Sequence, residues 1–401
     1  MRATGTKSPA WRAPTAGSYN TKHEKERGTM TTKKTGGLAG VTAGATHICT
    51  VGKEGAGLTY RGYDIYDLAD NACFEEVAFL LLRGHLPTQP ELDTYITKIK
   101  ANRGLPDALK TALEMIPAEA PPMDVLRTGV SFLGNIEPEG DFSNQANVAD
   151  RLLAVLPSML LYWHRFHADG VRIDTETDDD SISGHFLHLL HDKPPKELHR
   201  KSLDTTLILY AEHEFNASTF AARVITGTLS DMHSAVTGAI GALRGPLHGG
   251  ANEAAMALIS KFDSPAAATA GVHEMLANKD LIMGFGHRVY TTSDPRNSVN
   301  KKMSLALAED VGNTLLYPVS EAVEKVMWDE KKLFANADFF AASVYHFMGI
   351  PTYLFTPIFV CSRITGWAAH IMEQRADNKL IRPAADYIGP SLQDWTPIDK
   401  R

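Results

Sequence analysis

The chain has 401 residues, of which 44% are hydrophobic and 22% charged, a balance that suits two domains, or one large domain with a smaller one inserted. A formal net charge of −7 argues against nucleic acid as the main partner, so any anionic ligand needs a local basic site. The greasiest stretch, Leu152 to Trp163, is interrupted by Pro157 and Ser158, which predicts no membrane span.

Residues 1–35 carry eight Lys/Arg against two Glu with almost no apolar periodicity, and a disordered leader is expected there. It reads either as a transit peptide or as an upstream start, with Met30 opening the chain proper. Residues 46–61 are the one sheet-like piece. His47 to Val51 and Leu58 to Arg61 flank the turn Gly52-Lys-Glu-Gly-Ala-Gly57, a hairpin pattern. Helical composition follows over Glu75–Arg83, Pro90–Arg103, Val148–Phe166 and Ser230–Leu243, with loops at 117–122 and 178–181. No strand–helix rhythm recurs, so the predicted class is all-α with a minor N-terminal β-hairpin.

Ser264-Pro265, Asp294-Pro295 and Thr356-Pro357 each place a capping residue before a proline and predict three helix starts. Val319, Val323, Val326 and Met327 form one stripe, so an amphipathic helix is expected over 318–332. Two stretches read as hinges, 245–250 and 349–357. The expected division is a large helical domain from 36–252 and 356–401 and a small one over 253–355, able to close over a ligand. Cys49, Cys73 and Cys361 are far apart and odd in number, which fits a reducing compartment, the cytoplasm.

Several side chains stand in settings that suit chemistry. His248 and His287 lie beside glycines that let backbone approach a ligand, though a loop histidine explains either one alone. Asp338 falls in the first turn of a helix capped by Asn336, where the dipole favours a carboxylate and keeps it ionised as a general base requires. Arg296 opens a helix, a place where anions are favoured. Arg363 sits on a helix from Pro357 that is apolar nearly all round, so its buried guanidinium needs an anion, either a protein carboxylate or a substrate. His213 continues the stripe Leu203, Leu207, Tyr210 and points inward. His185, His188 and His191 recur every third residue, but such positions fan across about 120° and climb about 9 Å, so they do not converge on a metal. A half-exposed helix face is expected instead, and no metal site.

Taken in order, Arg244-Gly-Pro-Leu-His-Gly-Gly-Ala-Asn252, Gly284-Phe-Gly-His-Arg-Val-Tyr290 with Asp294-Pro-Arg296, and Asn336-Ala-Asp-Phe-Phe340 resemble the citrate synthase family over roughly residues 36–390. Cys49 to Lys53, Tyr60 to Asp64, Glu212 to Thr219 and Gly366 to His370 are most similar to its bacterial 2-methylcitrate synthases. The resemblance implies a mainly helical two-domain fold and condensation of propionyl-CoA or acetyl-CoA with oxaloacetate. It implies that Asp338 takes the thioester α-proton, that His248 stabilises the enol and that His287 polarises the ketone. His213, Arg296 and Arg363 would hold oxaloacetate. Arg382 would come from the partner of a homodimer, and the backbone of Leu281, Ile282, Met283, Gly284 and Phe285 would contact CoA. The thioester is then a substrate and no cofactor is needed. A citrate synthase preferring acetyl-CoA, a metal-dependent hydrolase built on the three histidines, and a catalytically dead CoA-binding protein are the rival readings.

Overall fold

The computed structural model describes Leu38, residues 41–53 and residues 56–401; the leader expected over 1–35 lies outside the described residues. Alternating side chains make the first element. β1 (Cys49–Lys53) and β2 (Ala56–Tyr60) pair antiparallel, with Cys49 opposite Tyr60 and Val51 opposite Leu58. Cys49, Val51, Leu58 and Tyr60 are buried, while the Thr50 and Thr59 hydroxyls bond each other at 2.8 Å, as the period of two requires. The expected hairpin gains a third strand, β3 (Tyr63–Asp64). The turn Arg61-Gly62 has φ of 51° and 91°, the left-handed pair that a two-residue hairpin turn demands.

Helix accounts for 61% and strand for 3%, so the class is all-α as expected. α1 (Ile65–Asn71), α2 (Phe74–Arg83), α3 (Gln89–Ala101), α4 (Asp107–Glu114) and α5 (Pro122–Ile136) come first. α6 (Gln145–Asp169), α7 (Ile182–His191), α8 (Glu197–Tyr210), α9 (Ala217–Thr226) and α10 (Met232–Leu243) follow. Then come α11 (Ala251–Ile259), α12 (Pro265–Ala277), α13 (Pro295–Asp310), α14 (Leu316–Lys331), α15 (Ala337–Phe347) and α16 (Phe355–Ala376). α16 is the hub, packing on α2, α5, α6, α8, α9 and α10, whereas α11 to α15 pack chiefly on one another. α8 touches both groups, meeting α13 and α15.

The helix expected over Val148–Phe166 forms as part of α6, and two local expectations, at Thr356 and on α7, need correction. α6 runs unbroken through Pro157. The proline removes one backbone bond, but Leu152 to Trp163 are all buried, and that packing outweighs a local helix defect. No described helix is long and apolar enough to cross a membrane. Thr356 is not a cap. The 3-10 turn Thr352–Leu354 feeds α16 directly from Phe355, so Thr356 is already helical and Pro357 sits in the first turn, where no N–H is needed. The histidine face of α7 is not half-exposed at its first member. His185 is fully buried, with Nε2 on Ser158 at 3.1 Å and Nδ1 on Thr177 at 3.0 Å.

The starts at Ser264 and Asp294 are as expected, each side chain accepting a backbone N–H of its helix.

Candidate active site

Asp338 is placed by its cap. Asn336 accepts the Asp338 N–H at 3.0 Å, which seats the carboxylate in the first turn of α15, where the helix dipole favours it. Tyr210, the last residue of α8, directs its hydroxyl to the Ala337 carbonyl at 2.8 Å and to Asp338 Oδ1 at 3.2 Å. Burial pushes the Asp338 carboxyl up to about 6, against the pull of Arg296 and in line with the repulsion of Asp294. A carboxylate of that basicity is a better proton acceptor than an exposed one and is still ionised at neutral pH.

His248 lies in the turn between α10 and α11. Its Nε2 accepts the Ser218 N–H at 3.2 Å and lies 2.8 Å from Ser218 Oγ. Ser218 is fixed in turn by Trp367, whose Nε1 donates to Oγ at 3.1 Å. Since a backbone amide only donates, Nε2 carries a lone pair and the neutral ring bears its proton on Nδ1. Burial, helped by the Arg363 charge, pushes the imidazole down to about 4, so it stays a neutral donor. Glycine is needed just after it: a Cβ on Gly249 would stand 2.2 Å from the Leu243 carbonyl oxygen.

His287 obeys the same logic with the opposite nitrogen. Nδ1 accepts the N–H groups of Val289 at 3.1 Å and Tyr290 at 3.3 Å, which leaves the proton on Nε2. Burial and Arg296 lower its basicity. His213 is buried, with its ring 5.1 Å from that of His287, but α8 ends at Tyr210, so the helical register expected for it is not what turns it inward. Its Nε2 meets the Tyr290 hydroxyl at 3.2 Å.

Arg296 is clamped by Asp294, Nε to Oδ1 at 2.9 Å and Nη2 to Oδ2 at 2.8 Å. Asp294 Oδ2 also accepts the Ala337 N–H at 3.1 Å, so one carboxylate joins the start of α13 to the start of α15. Arg363 is buried, and its Nε donates to the Tyr210 carbonyl at 2.6 Å. Among the described residues no carboxylate comes within 4.0 Å of its guanidinium. The two arginine charges bind the cluster together electrostatically. Arg296 acts on His213, His287 and Asp338, and Arg363 on His213, His248 and Asp338.

The 281–285 segment is stitched to the chain entering α15. Gly286 N–H reaches the Phe334 carbonyl at 2.8 Å and Asn336 N–H the Gly284 carbonyl at 2.9 Å. Gly284 has φ 91°, and a Cβ there would press on Phe339 at 3.1 Å. Leu281 is exposed, Ile282 and Gly284 are buried, and Met283 and Phe285 are half-buried, with the Phe285 ring 4.6 Å from that of Phe339. Arg382 lies exposed on the extended segment after α16, and no hydrogen bond or ion pair joins it to these groups.

Sequence reasoning singled out neither Ser218 nor Tyr210 as functional, and it read Asp294 only as a cap. The alternation of acid and base in Asp294-Pro-Arg296 was a signal that could have identified the clamp. His188 pairs with Asp179 at 2.6 Å and His191 with the Met348 carbonyl at 2.9 Å, so the three α7 histidines are spent on separate partners. Among the described residues no group of three or more His, Cys, Asp or Glu could hold a metal ion.

A family model described as citrate synthase, C-terminal domain, matches residues 37–384. A 2-methylcitrate synthase of Shewanella oneidensis is 64% identical over 91% of this chain and 97% of its own length. Citrate synthase 2 of Bacillus subtilis is 42% identical over 92% of this chain and 99% of its own. Among solved structures, the ternary complex of carboxymethyl coenzyme A and oxaloacetate with citrate synthase from Thermoplasma acidophilum superposes with a TM-score of 0.83 at 32% identity, covering 90% of this chain and 98% of that one.

Proposed function

The chain belongs to the citrate synthase family, and we propose that within it this enzyme condenses propionyl-CoA with oxaloacetate and water to give 2-methylcitrate and CoA, accepting acetyl-CoA as well. One observation carries the chemistry: two neutral imidazoles, each held by backbone N–H groups so that one defined nitrogen donates, share a cluster with a carboxylate poised near 6 and two buried arginines. The 64% identity to a 2-methylcitrate synthase carries the choice of acyl donor.

Asp338 removes a proton from the carbon next to the thioester. The enolate charge develops against His248 Nδ1–H, a preorganised donor of a kind that contributes about 3–4 kcal/mol. The α-carbon attacks the ketone of oxaloacetate while His287 Nε2–H supports the oxygen that becomes the tertiary alcohol. Arg296 and Arg363 hold the two substrate carboxylates, with His213 beside them. Water then cleaves the thioester and releases CoA. Proton transfer, enol stabilisation and carboxylate binding are all assigned to side chains of the chain itself, so neither a metal nor an organic cofactor is required.

Arg382 we assign to the partner's site in a homodimer. The segment that carries it exposes Tyr387, Ile388, Leu392 and Trp395, more apolar surface than an isolated tail would leave to water. Gly241 and Ala242 leave one face of α10 partly open and shallow enough for close helix approach. The group α11 to α15 is assigned the role of a small domain that closes over CoA, with Leu281 to Phe285 as the contacting loop. Three unpaired cysteines favour the cytoplasm.

Free-thiol release from propionyl-CoA and acetyl-CoA, each with and without oxaloacetate, tests the function. Oxaloacetate-dependent release with a higher kcat/KM for propionyl-CoA is expected. One methylene supplies only about 1–3 kcal/mol of discrimination, so a higher value for acetyl-CoA would assign a citrate synthase. No dependence on oxaloacetate would overturn the reading.

A further inference from the structure

Arg363 poses a physical problem. A buried guanidinium with no carboxylate on it is costly before substrate arrives, yet with Nε already given to the Tyr210 carbonyl a protein carboxylate on the two Nη groups would take the edge a substrate needs, unlike Asp294 on Arg296, which leaves Nη1 free. The nearby charge that most favours its charged form is Glu212, which is itself fully buried. Glu212 does not reach the guanidinium. Its Oε1 takes the Nε2 proton of His370 at 2.8 Å, and its Oε2 is buried with no hydrogen-bond partner. Arg223 Nη1 donates to His370 Nδ1 at 3.0 Å and to Glu373 Oε2 at 2.8 Å. That fixes the His370 proton on Nε2, aimed at Glu212.

The helix explains the arrangement. Arg363, Gly366 and His370 follow at i, i+3 and i+7, so all three share one face of α16. Glu212 lies against that face at Gly366, where a Cβ would stand 2.1 Å from Oε2. Arg363 lies about one turn before Gly366 and His370 about one turn after it, and the carboxylate seated at the glycine is bonded to His370. The glycine admits the carboxylate and His370 decides which neighbour it binds.

We propose that His370 is a positioning residue that tethers Glu212 away from Arg363, so that Glu212 neutralises the buried guanidinium at a distance and leaves its hydrogen-bonding edge free for a substrate carboxylate. Without the tether, Glu212 swings one turn along α16 and pairs with Arg363 directly. It then competes with oxaloacetate. The inference rests on the reading that Arg363 holds a carboxylate of oxaloacetate.

The test is steady-state kinetics on the full-length enzyme with oxaloacetate varied at saturating propionyl-CoA. His370→Phe is expected to raise KM for oxaloacetate about tenfold or more with kcat nearly unchanged, the signature of lost ground-state binding. Glu212→Gln alone, which keeps an acceptor for His370 but removes the charge that faces Arg363, sets the baseline for the double variant and is expected to raise that KM less than His370→Phe does; a rise as large overturns the tether. The double variant Glu212→Gln/His370→Phe is expected to return KM towards the parent value, since the competitor is gone. His370→Gln, which retains an N–H donor, is expected to rescue in part and serves if the phenylalanine does not fold. An unchanged KM in His370→Phe, or in His370→Gln and Glu212→Gln/His370→Gln alike where the phenylalanine does not fold, overturns the tether, as does a double variant no better than the single one. Arg363→Ala separates the two readings: if it leaves KM for oxaloacetate unmoved, the assignment of Arg363 fails, and with it the basis of the tether.

Discussion

The backbone N–H of Ser218 points at Nε2 of His248 from 3.2 Å, and that one contact decides what the histidine can do. With Nε2 occupied as an acceptor, the ring donates from Nδ1, and burial keeps it uncharged down to about 4. Nitrogen NMR of the ring is therefore expected to show the Nδ1–H tautomer throughout pH 5–8. A titration near the ordinary value of 6.5, or an Nε2–H signal, would remove the enol-stabilising role. Replacing His248 by Ala is expected to lower kcat by roughly 10²–10³ while oxaloacetate still binds.

Asp338 should set the acid limb of activity. It works only when ionised, and its carboxyl sits at about 6, so kcat/KM should fall as pH drops through that value. The stability consequence has the opposite sign. A folded pKa above the ordinary 3.8 stabilises the native state below pH 3.8, and that contribution is lost as pH rises through about 6. Asp338→Asn should therefore abolish turnover yet raise the melting temperature at pH 8, with the gain fading by pH 4. Equal melting temperatures at both pH values would contradict a carboxyl whose ionisation is opposed by its desolvation.

Asp294 acts on two groups at once. It clamps Arg296 and raises the Asp338 carboxyl by repulsion. Asp294→Asn should loosen the arginine and so raise KM for oxaloacetate. It should also shift the acid limb of kcat/KM to lower pH, because the unopposed Arg296 charge favours the ionised base. A rise in KM with no movement of the acid limb would mean that Asp294 is too well screened to act on Asp338.

What the sequence could disclose divides along contact distance. Whereas His213 is inward from a position beyond the end of α8, the Asn336 cap and the buried helix of Arg363 follow from spacing within one element, and each stands where spacing puts it. The donor nitrogens do not. His248 owes its tautomer to Ser218, 30 positions away, and Arg363 meets the Tyr210 carbonyl 153 positions away; no periodicity records such pairs. The misplaced start of α16 has a similar origin. Thr356-Pro357 has the chemistry of a helix start, but Thr356 gives both its N–H and its hydroxyl to Glu253, 103 positions upstream.

That contact predicts a mechanical phenotype. Glu253 lies in the first turn of α11, just after the segment 245–250, and Thr356 in the first turn of α16, within 349–357, so the pair ties the end of one segment read as a hinge to the other. Burial raises the Glu253 carboxyl and the Thr356 bonds lower it. Thr356→Val removes the hydroxyl and leaves the shape nearly unchanged. Looser hinges should raise KM for the acyl-CoA and increase oxaloacetate-independent thioester hydrolysis, because closure is what excludes water. Parent-like hydrolysis with unchanged KM would reduce the pair to a helix cap.

Arg382 allows a test that needs no structure of the assembly. Arg382→Ala and Asp338→Asn should each be nearly inactive as homodimers. In a mixed dimer the subunit that lacks Arg382 keeps Asp338 and receives Arg382 from its partner, so one site of two is whole. Half of randomly exchanged dimers are mixed, and activity should recover to about a quarter of the parent level on mixing. If Arg382 served its own chain, every site of every mixed dimer would lack one residue, and mixing would restore nothing.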